Sequence, residues 1–377
     1  MIDTPGFFWT VACFILAIGP LVFVHELGHF LMARLFGVQV DVFSIGFGRE
    51  VTGWTDRLGT RWKIAWMPLG GYVRFAGDMN GASQEDPRWR QLTPGERDRV
   101  FHAKPLWQRA LIVLAGPLAN FAAALIILAG FAYAYGDSRM PPVVAGIQAG
   151  SPAERAGIKV GDKVLEVSGR SVERFEQIYP IVQARPGIEF DMKLEREGQP
   201  FTVQITPRTA VERDRFGNEY KLGKIGIAPS GKFVIEEVSL IEAPIVAVRR
   251  TGEILDLMVT GIWQVISGRR SVDELGGPIK IAQISGQAAS LGWKEFVSFL
   301  ALISINLGFI NLLPVPMLDG GHLCFYAVEA VQRRPVSPRT MEIAFRSGMF
   351  VLLALMAFVT LNDLASLGVW RFAGHGG

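Results

Sequence analysis

The sequence predicts a polytopic α-helical membrane protein with about four transmembrane helices, a membrane-associated β-hairpin region and one inserted extracytoplasmic α/β domain. Three observations carry that prediction. Half of the 377 residues are hydrophobic and only 19% are charged, which argues against a purely soluble chain. The apolar residues are also gathered. Residues 7–24, 110–136 and 296–318 contain no charge, and each approaches or exceeds the ~20 residues an α-helix needs to cross a bilayer core. The third observation is where the basic residues fall. Eleven Lys/Arg lie in 32–105, and Arg333, Arg334, Arg339 and Arg346 lie in the later connection. With four crossings both segments fall on one side, which the positive-inside rule makes cytoplasmic; residues 137–295 and both termini then lie outside.

Taken in order, residues 1–35 form the first transmembrane helix. It is read as retained and not as a signal peptide, because Met1-Ile2-Asp3 is acidic and no A-x-A-like site follows. Residues 36–105 form a cytoplasmic-side hairpin and loop region. Within it, 40–48 and 61–75 are rich in β-branched and aromatic residues punctuated by glycine, as strands are. Trp54, Trp62, Trp66 and Tyr72 suit a membrane–water interface, and polar 78–99 reads as a mobile loop. Residues 106–136 are the second span. From 141 to 230 the chain reads as a compact α/β module: a strand at 143–147, a short helix with Ser151 as N-cap, Pro152 at its first position and Gly157 at its stop, then further strands and a hairpin around Gly198. Residues 231–292 lean helical, with an apolar face suited to lying along the membrane surface. Residues 293–322 are the third span. The fourth, 345–370, has only 16 uncharged residues, 347–362, before Asp363 interrupts it.

The chemistry is concentrated in His25-Glu26-Leu27-Gly28-His29, directly after the first apolar run. On a helix this H-E-x-x-H sets two imidazoles at i and i+4 on one face, able to share a metal, with the glutamate directed at a water the metal would activate. Ionisable groups in or near hydrocarbon must be compensated, and one divalent cation would compensate both histidines. Zinc needs a third protein ligand. His102 and His375 read as solvated surface. Asp319 has the most unusual setting of the acidic residues: it ends the third apolar run, behind Pro314 and Pro316 and before Gly320-Gly321. Prolines there break the helix, and broken backbone at membrane depth is tolerated where it lines a cavity or water. The two cysteines, Cys13 and Cys324, offer neither a disulfide framework nor a Cys-type zinc site. A net charge of +3 gives no reason to expect nucleic acid.

An HExxH ending the first span, an N-x-x-P-x-P-x-L-D-G-G run from Asn311 to Gly321, and an SPAxxAG…GD pattern between them together resemble the site-2 protease family of intramembrane zinc metalloproteases. The resemblance is to its regulator-of-sigma-E protease (RseP) branch and runs from near residue 7 to near 367. It implies Zn²⁺ held by His25, His29 and Asp319, with Glu26 as the general base. It further implies that Asn311 helps hold unwound substrate, that His322 supports the site without being a ligand, and that 141–230 is a single PDZ domain. Gly116-Pro117-Leu118-Ala119-Asn120 resembles another motif of the family; its plainer reading is close helix packing with a polar lock. The implied substrates are single-span membrane proteins, such as trimmed anti-sigma factors, and remnant signal peptides. The implied place is the bacterial inner membrane, with the active site toward the cytoplasm. A PDZ binds a peptide C-terminus by strand addition; the alternative is a spacer that binds nothing. The hairpin around 62–75 either receives substrate by edge pairing or simply rests on the membrane. Two rival functions stand beside proteolysis. One is a proteolytically inactive PDZ-bearing scaffold or metal-binding chaperone, which would not need Glu26. The other is a metal transporter, which would spread polar groups along a path.

Overall fold

The computed structural model describes residues 6–79, 86–213, 219–267 and 277–366. The chain forms two compact units, one of Met1–Ala129, Ala247–Val259 and Val272–Gly377, the other of Gly130–Val246 and Thr260–Ser271. Among the described residues four helices are long and apolar enough to cross a membrane: Phe7–Leu35, Leu106–Tyr135, Trp293–Leu312 and Arg339–Leu364. They fall on the four apolar runs of the sequence.

Helix α1 (Phe7–Leu35) carries the charge-free run straight into the histidines and ends with Arg34 in its last turn, where a cation complements the helix dipole. Strands β1 (Val40–Thr55) and β2 (Arg61–Phe75) follow. The first is longer than the sequence suggested, and irregular in register. Val42, Phe43 and Ile45 face Arg61, Trp62 and Ile64 on one side, and Arg74, Val73 and Gly71 on the other. Phe43, Val73 and Phe75 bury against Phe30 and Ala33 of α1. The 78–99 segment is not simply a loop. Asp86 caps a 3-10 turn at Pro87–Gln91, and a Thr93–Glu96 capping box closes α2 (Pro94–Arg97). His102 is not solvated surface either: its Nε2 lies 2.8 Å from Oδ1 of Asp78. The run expected as the second span is α3 (Leu106–Tyr135).

The second unit follows the expected module and adds to it. Its elements are β3 (Asp137–Arg139), β4 (Val144–Ile147), α4 (Pro152–Arg155), β5 (Lys163–Val167), β6 (Arg170–Ser171) and α5 (Ile178–Gln183). They continue with β7 (Phe190–Arg196), β8 (Gln199–Ile205), β9 (Arg208–Arg213), β10 (Glu219–Lys224), β11 (Ile227–Pro229) and β12 (Val234–Glu236). The main sheet has the order β6-β5-β7-β8, and β4–β11, β9–β10 and β3–β12 pair separately. Ser151 accepts the backbone N–H of Glu154, capping α4 as expected. The β7–β8 turn places both Glu197 and Gly198 at positive φ (51° and 80°), the primed geometry that matches strand twist. Phe175, Met192, Leu194 and Val164 fill the core.

The chain closes with α6 (Ala243–Ile266), α7 (Pro278–Leu291), α8 (Trp293–Leu312), α9 (Asp319–Gln332) and α10 (Pro338–Ser366). Within the first unit α7 packs against α1 and α8, and β12 was unforeseen in 231–292. Asp363, which interrupts the last apolar run, accepts the backbone N–H groups of Gly277 and Lys280 at 3.1 Å each and so caps α7. The third span ends earlier than expected. Helix α8 stops at Leu312, residues 313–318 are non-helical with Met317 at φ 84°, and Asp319 opens a new helix. The physical reason is the proline pair, which removes two backbone donors and disfavours the α region in the preceding residues.

Candidate functional site

One turn of α1 brings His25 and His29 to the same face, and both are buried with Glu26. Across from them Asp319 sits in the first turn of α9. Its setting needs the two glycines behind it: a Cβ on Gly320 would overlap the carbonyls of Leu312 and Leu313, and one on Gly321 the carbonyl of Val315. The DGG run therefore packs the start of α9 onto the end of α8.

Three atoms converge. Nε2 of His25 and Nε2 of His29 are 3.3 Å apart, and Oδ2 of Asp319 lies 3.2 Å from the first and 3.4 Å from the second. Ligands bound tetrahedrally to zinc at ~2.0–2.1 Å stand roughly 3.3–3.4 Å from one another, so this triangle has the size zinc requires. Oδ2 of Asp319 is buried and has no hydrogen-bond partner. A buried carboxylate oxygen beside two imidazole nitrogens, with no donor, is a set of lone pairs awaiting a cation. Among the described residues this is the one group of three or more His, Cys, Asp or Glu with metal-holding geometry.

The other ring nitrogens are held as well. Nδ1 of His29 lies 2.8 Å from the carbonyl of Ile112, which fixes Nδ1 as the donor and leaves Nε2 as a lone pair. Nδ1 of His25 lies 3.1 Å from the side-chain amide nitrogen of Asn120. Asn120 is fully buried and its Oδ1 has no partner in that orientation; turning the amide over gives Oδ1 to an Nδ1–H and satisfies both groups. Both partners come from α3. The approach of α3 to α1 depends on glycine at two places: a Cβ on Gly28 would overlap the carbonyl of Ala115, and one on Gly116 the ring of His29. The reading of 116–120 as close packing with a polar lock is thus met, and the lock is on a histidine.

A cavity of about 620 Å³ opens over the cluster, lined by His25, Glu26, His29 and Asp319 and walled by Gly70–Val73 of β2, Asn311 of α8 and His322 of α9. His322 lies beside the ring of Phe345, outside the three-atom cluster. His375 lies outside the described residues. Sequence reasoning missed Ile112, whose contribution is a carbonyl and leaves no trace in residue type.

The description of peptidase family M50 matches residues 13–355. The chain belongs to that family. Among its relatives, a provisionally named zinc metalloprotease of Agrobacterium fabrum is 43% identical, over 94% of this chain and 95% of its own. Metalloprotease MmpA of Caulobacter vibrioides is 35% identical over 98% of both, and a provisionally named zinc metalloprotease of Rickettsia conorii is 37% identical over 94% and 98%. The resemblance to site-2 proteases therefore holds over nearly the whole chain. A solved PDZ domain of an SdrC-like protein from Listeria monocytogenes covers 25% of this chain and 92% of its own. At 15% identity and a TM-score of 0.20, that likeness is too slight to argue from.

Proposed function

We propose that His25, His29 and Asp319 hold the zinc ion of an intramembrane metalloprotease in which Glu26 is the general base. The 3.2–3.4 Å triangle of donor atoms carries this reading. Membership of the M50 family and a multi-pass arrangement of apolar helices support it. Zinc at such a centre supplies Lewis acidity, acidifying water and polarising the scissile carbonyl. The chain's own residues do the rest. Ile112 and Asn120 hold the imidazoles in the tautomer that directs Nε2 inward. Glu26, buried in the same cavity, takes the proton of the attacking water and passes it to the leaving amine.

A membrane-spanning substrate is a helix whose amides are already bonded, so it must unwind before it is cut. Gly70–Val73 on one wall and Asn311 on another support an extended-substrate site: the strand receives the peptide by edge pairing and Asn311 holds freed backbone polar groups. The substrates proposed are single-span membrane proteins such as trimmed anti-sigma factors, and remnant signal peptides. The proposed location is the bacterial inner membrane with the cluster toward the cytoplasm, on the basic-residue argument. The second unit is proposed as an extracytoplasmic PDZ domain that docks a peptide C-terminus or limits access.

Glu26→Gln tests the assignment. Zinc stays bound at the wild-type stoichiometry while cleavage of a single-span reporter falls by at least the ~10²–10⁴-fold that a general base contributes. Wild-type cleavage by this variant would sink the general-base role of Glu26.

A further inference from the structure

The strand that walls the cavity is anchored beyond the site by a buried pair. Strand β2 ends at Phe75, and Asp78 turns back on it: Oδ2 accepts the backbone N–H of Phe75 at 3.1 Å, while Oδ1 lies 2.8 Å from Nε2 of His102. The Asp78 side chain is fully shielded from solvent and that of His102 is 13% exposed. His102 belongs to the turn Phe101–Ala103, whose chain leads into α3. Helix α3 in turn carries Ile112, Gly116 and Asn120 against the two histidines. The same junction is fastened by backbone bonds, from Ala76 N–H to the Gln39 carbonyl at 2.9 Å and from Phe101 N–H to the Ala76 carbonyl at 3.2 Å. The rings of Phe75 and Phe101 stack at 4.9 Å.

A buried polar pair is weak support for stability, because desolvation offsets most of the attraction; its best-attested use is to fix one arrangement over others. Here the arrangement fixed is the height of Gly71–Phe75 beside Glu26. We propose that Asp78 and His102 form a clamp that sets where this strand stands relative to α1, which makes both of them positioning residues for the substrate and not for the metal. The proposal rests on the reading of the cavity as the proteolytic site. A strand that drifts from its place loses edge contacts with the peptide in the ground state and the transition state alike, so the clamp acts on KM.

The test uses the full-length protein in detergent, with Asp78→Ala, His102→Ala and His102→Gln assayed on a single-span reporter. Zinc content and amide hydrogen exchange are measured on the same samples. The alanine variants keep wild-type zinc, raise KM roughly tenfold and change kcat by no more than about twofold, the signature of lost substrate positioning. His102→Gln, whose amide can still donate to Asp78, recovers most of the KM. Exchange over 71–76 quickens in His102→Ala while that of α1 is unchanged. Wild-type KM in both alanine variants, loss of zinc, a fall in kcat at constant KM, or unaltered exchange over 71–76 would each overturn the clamp. A wild-type enzyme that cleaves no reporter would instead defeat the proteolytic reading, and the exchange data alone would still decide whether the clamp exists.

Discussion

At the scale of single residues, the His25–His29–Asp319 cluster is held by groups outside it. Asn120 stands at Nδ1 of His25 and the Ile112 carbonyl at Nδ1 of His29. Partners of this kind orient the ring and raise its basicity, and their loss typically costs ~10–100-fold in metal affinity. Asn120→Ala is therefore expected to weaken zinc binding by about that factor in a competition titration against a chelator, with Glu26 chemistry intact once zinc is saturating. Unchanged affinity would remove Asn120 from the centre. The three clustered residues were legible in the sequence because their types are costly at membrane depth and two of them share one helical face. Asp319 was legible through the prolines and glycines around it. The Ile112 carbonyl was not, since any residue there offers one. His102 was misread because its partner, Asp78, is 24 residues away in a polar stretch that looked solvated.

At the scale of elements, the structure differs from the sequence reading mainly where tertiary pairing decides. The apolar run to 318 contains both the end of α8 and a non-helical stretch, and only the backbone shows that Asp319 begins a helix. Strand β12 is three exposed residues whose partner β3 lies almost a hundred positions earlier, so no local periodicity marks it. The β7–β8 hairpin was legible because Gly198 announces its turn. In the second unit, Arg196 grips Asp162 with a two-pronged fork of 2.7 and 2.8 Å, and the Lys159 N–H adds a third bond at 2.7 Å. The fork holds the Asp162 carboxyl below the usual carboxylate range. The sign follows: the stabilisation is complete above the ordinary carboxylate value and is lost as pH falls through the lowered one. Between about pH 6 and about pH 3, thermal unfolding of this unit should therefore drop further in the wild type than in Asp162→Asn. Parallel pH dependence in the two proteins would contradict the pairing.

At the scale of the whole molecule, the site is assembled from segments far apart in the chain. Helix α1 supplies the histidines and the glutamate, α3 their outer partners, β2 one wall, and α8 and α9 the asparagine and the Asp319 carboxylate. Removal of zinc by a chelator should abolish cleavage and its return restore it, whereas a scaffold would keep its binding function. The most direct test of the account is zinc K-edge X-ray absorption on the purified wild-type protein. The prediction is a first shell of nitrogen and oxygen at ~2.0–2.1 Å, with outer scattering from two imidazoles and no sulfur. A sulfur shell near ~2.3 Å, or scattering from fewer than two imidazoles, would contradict the centre assigned to His25, His29 and Asp319.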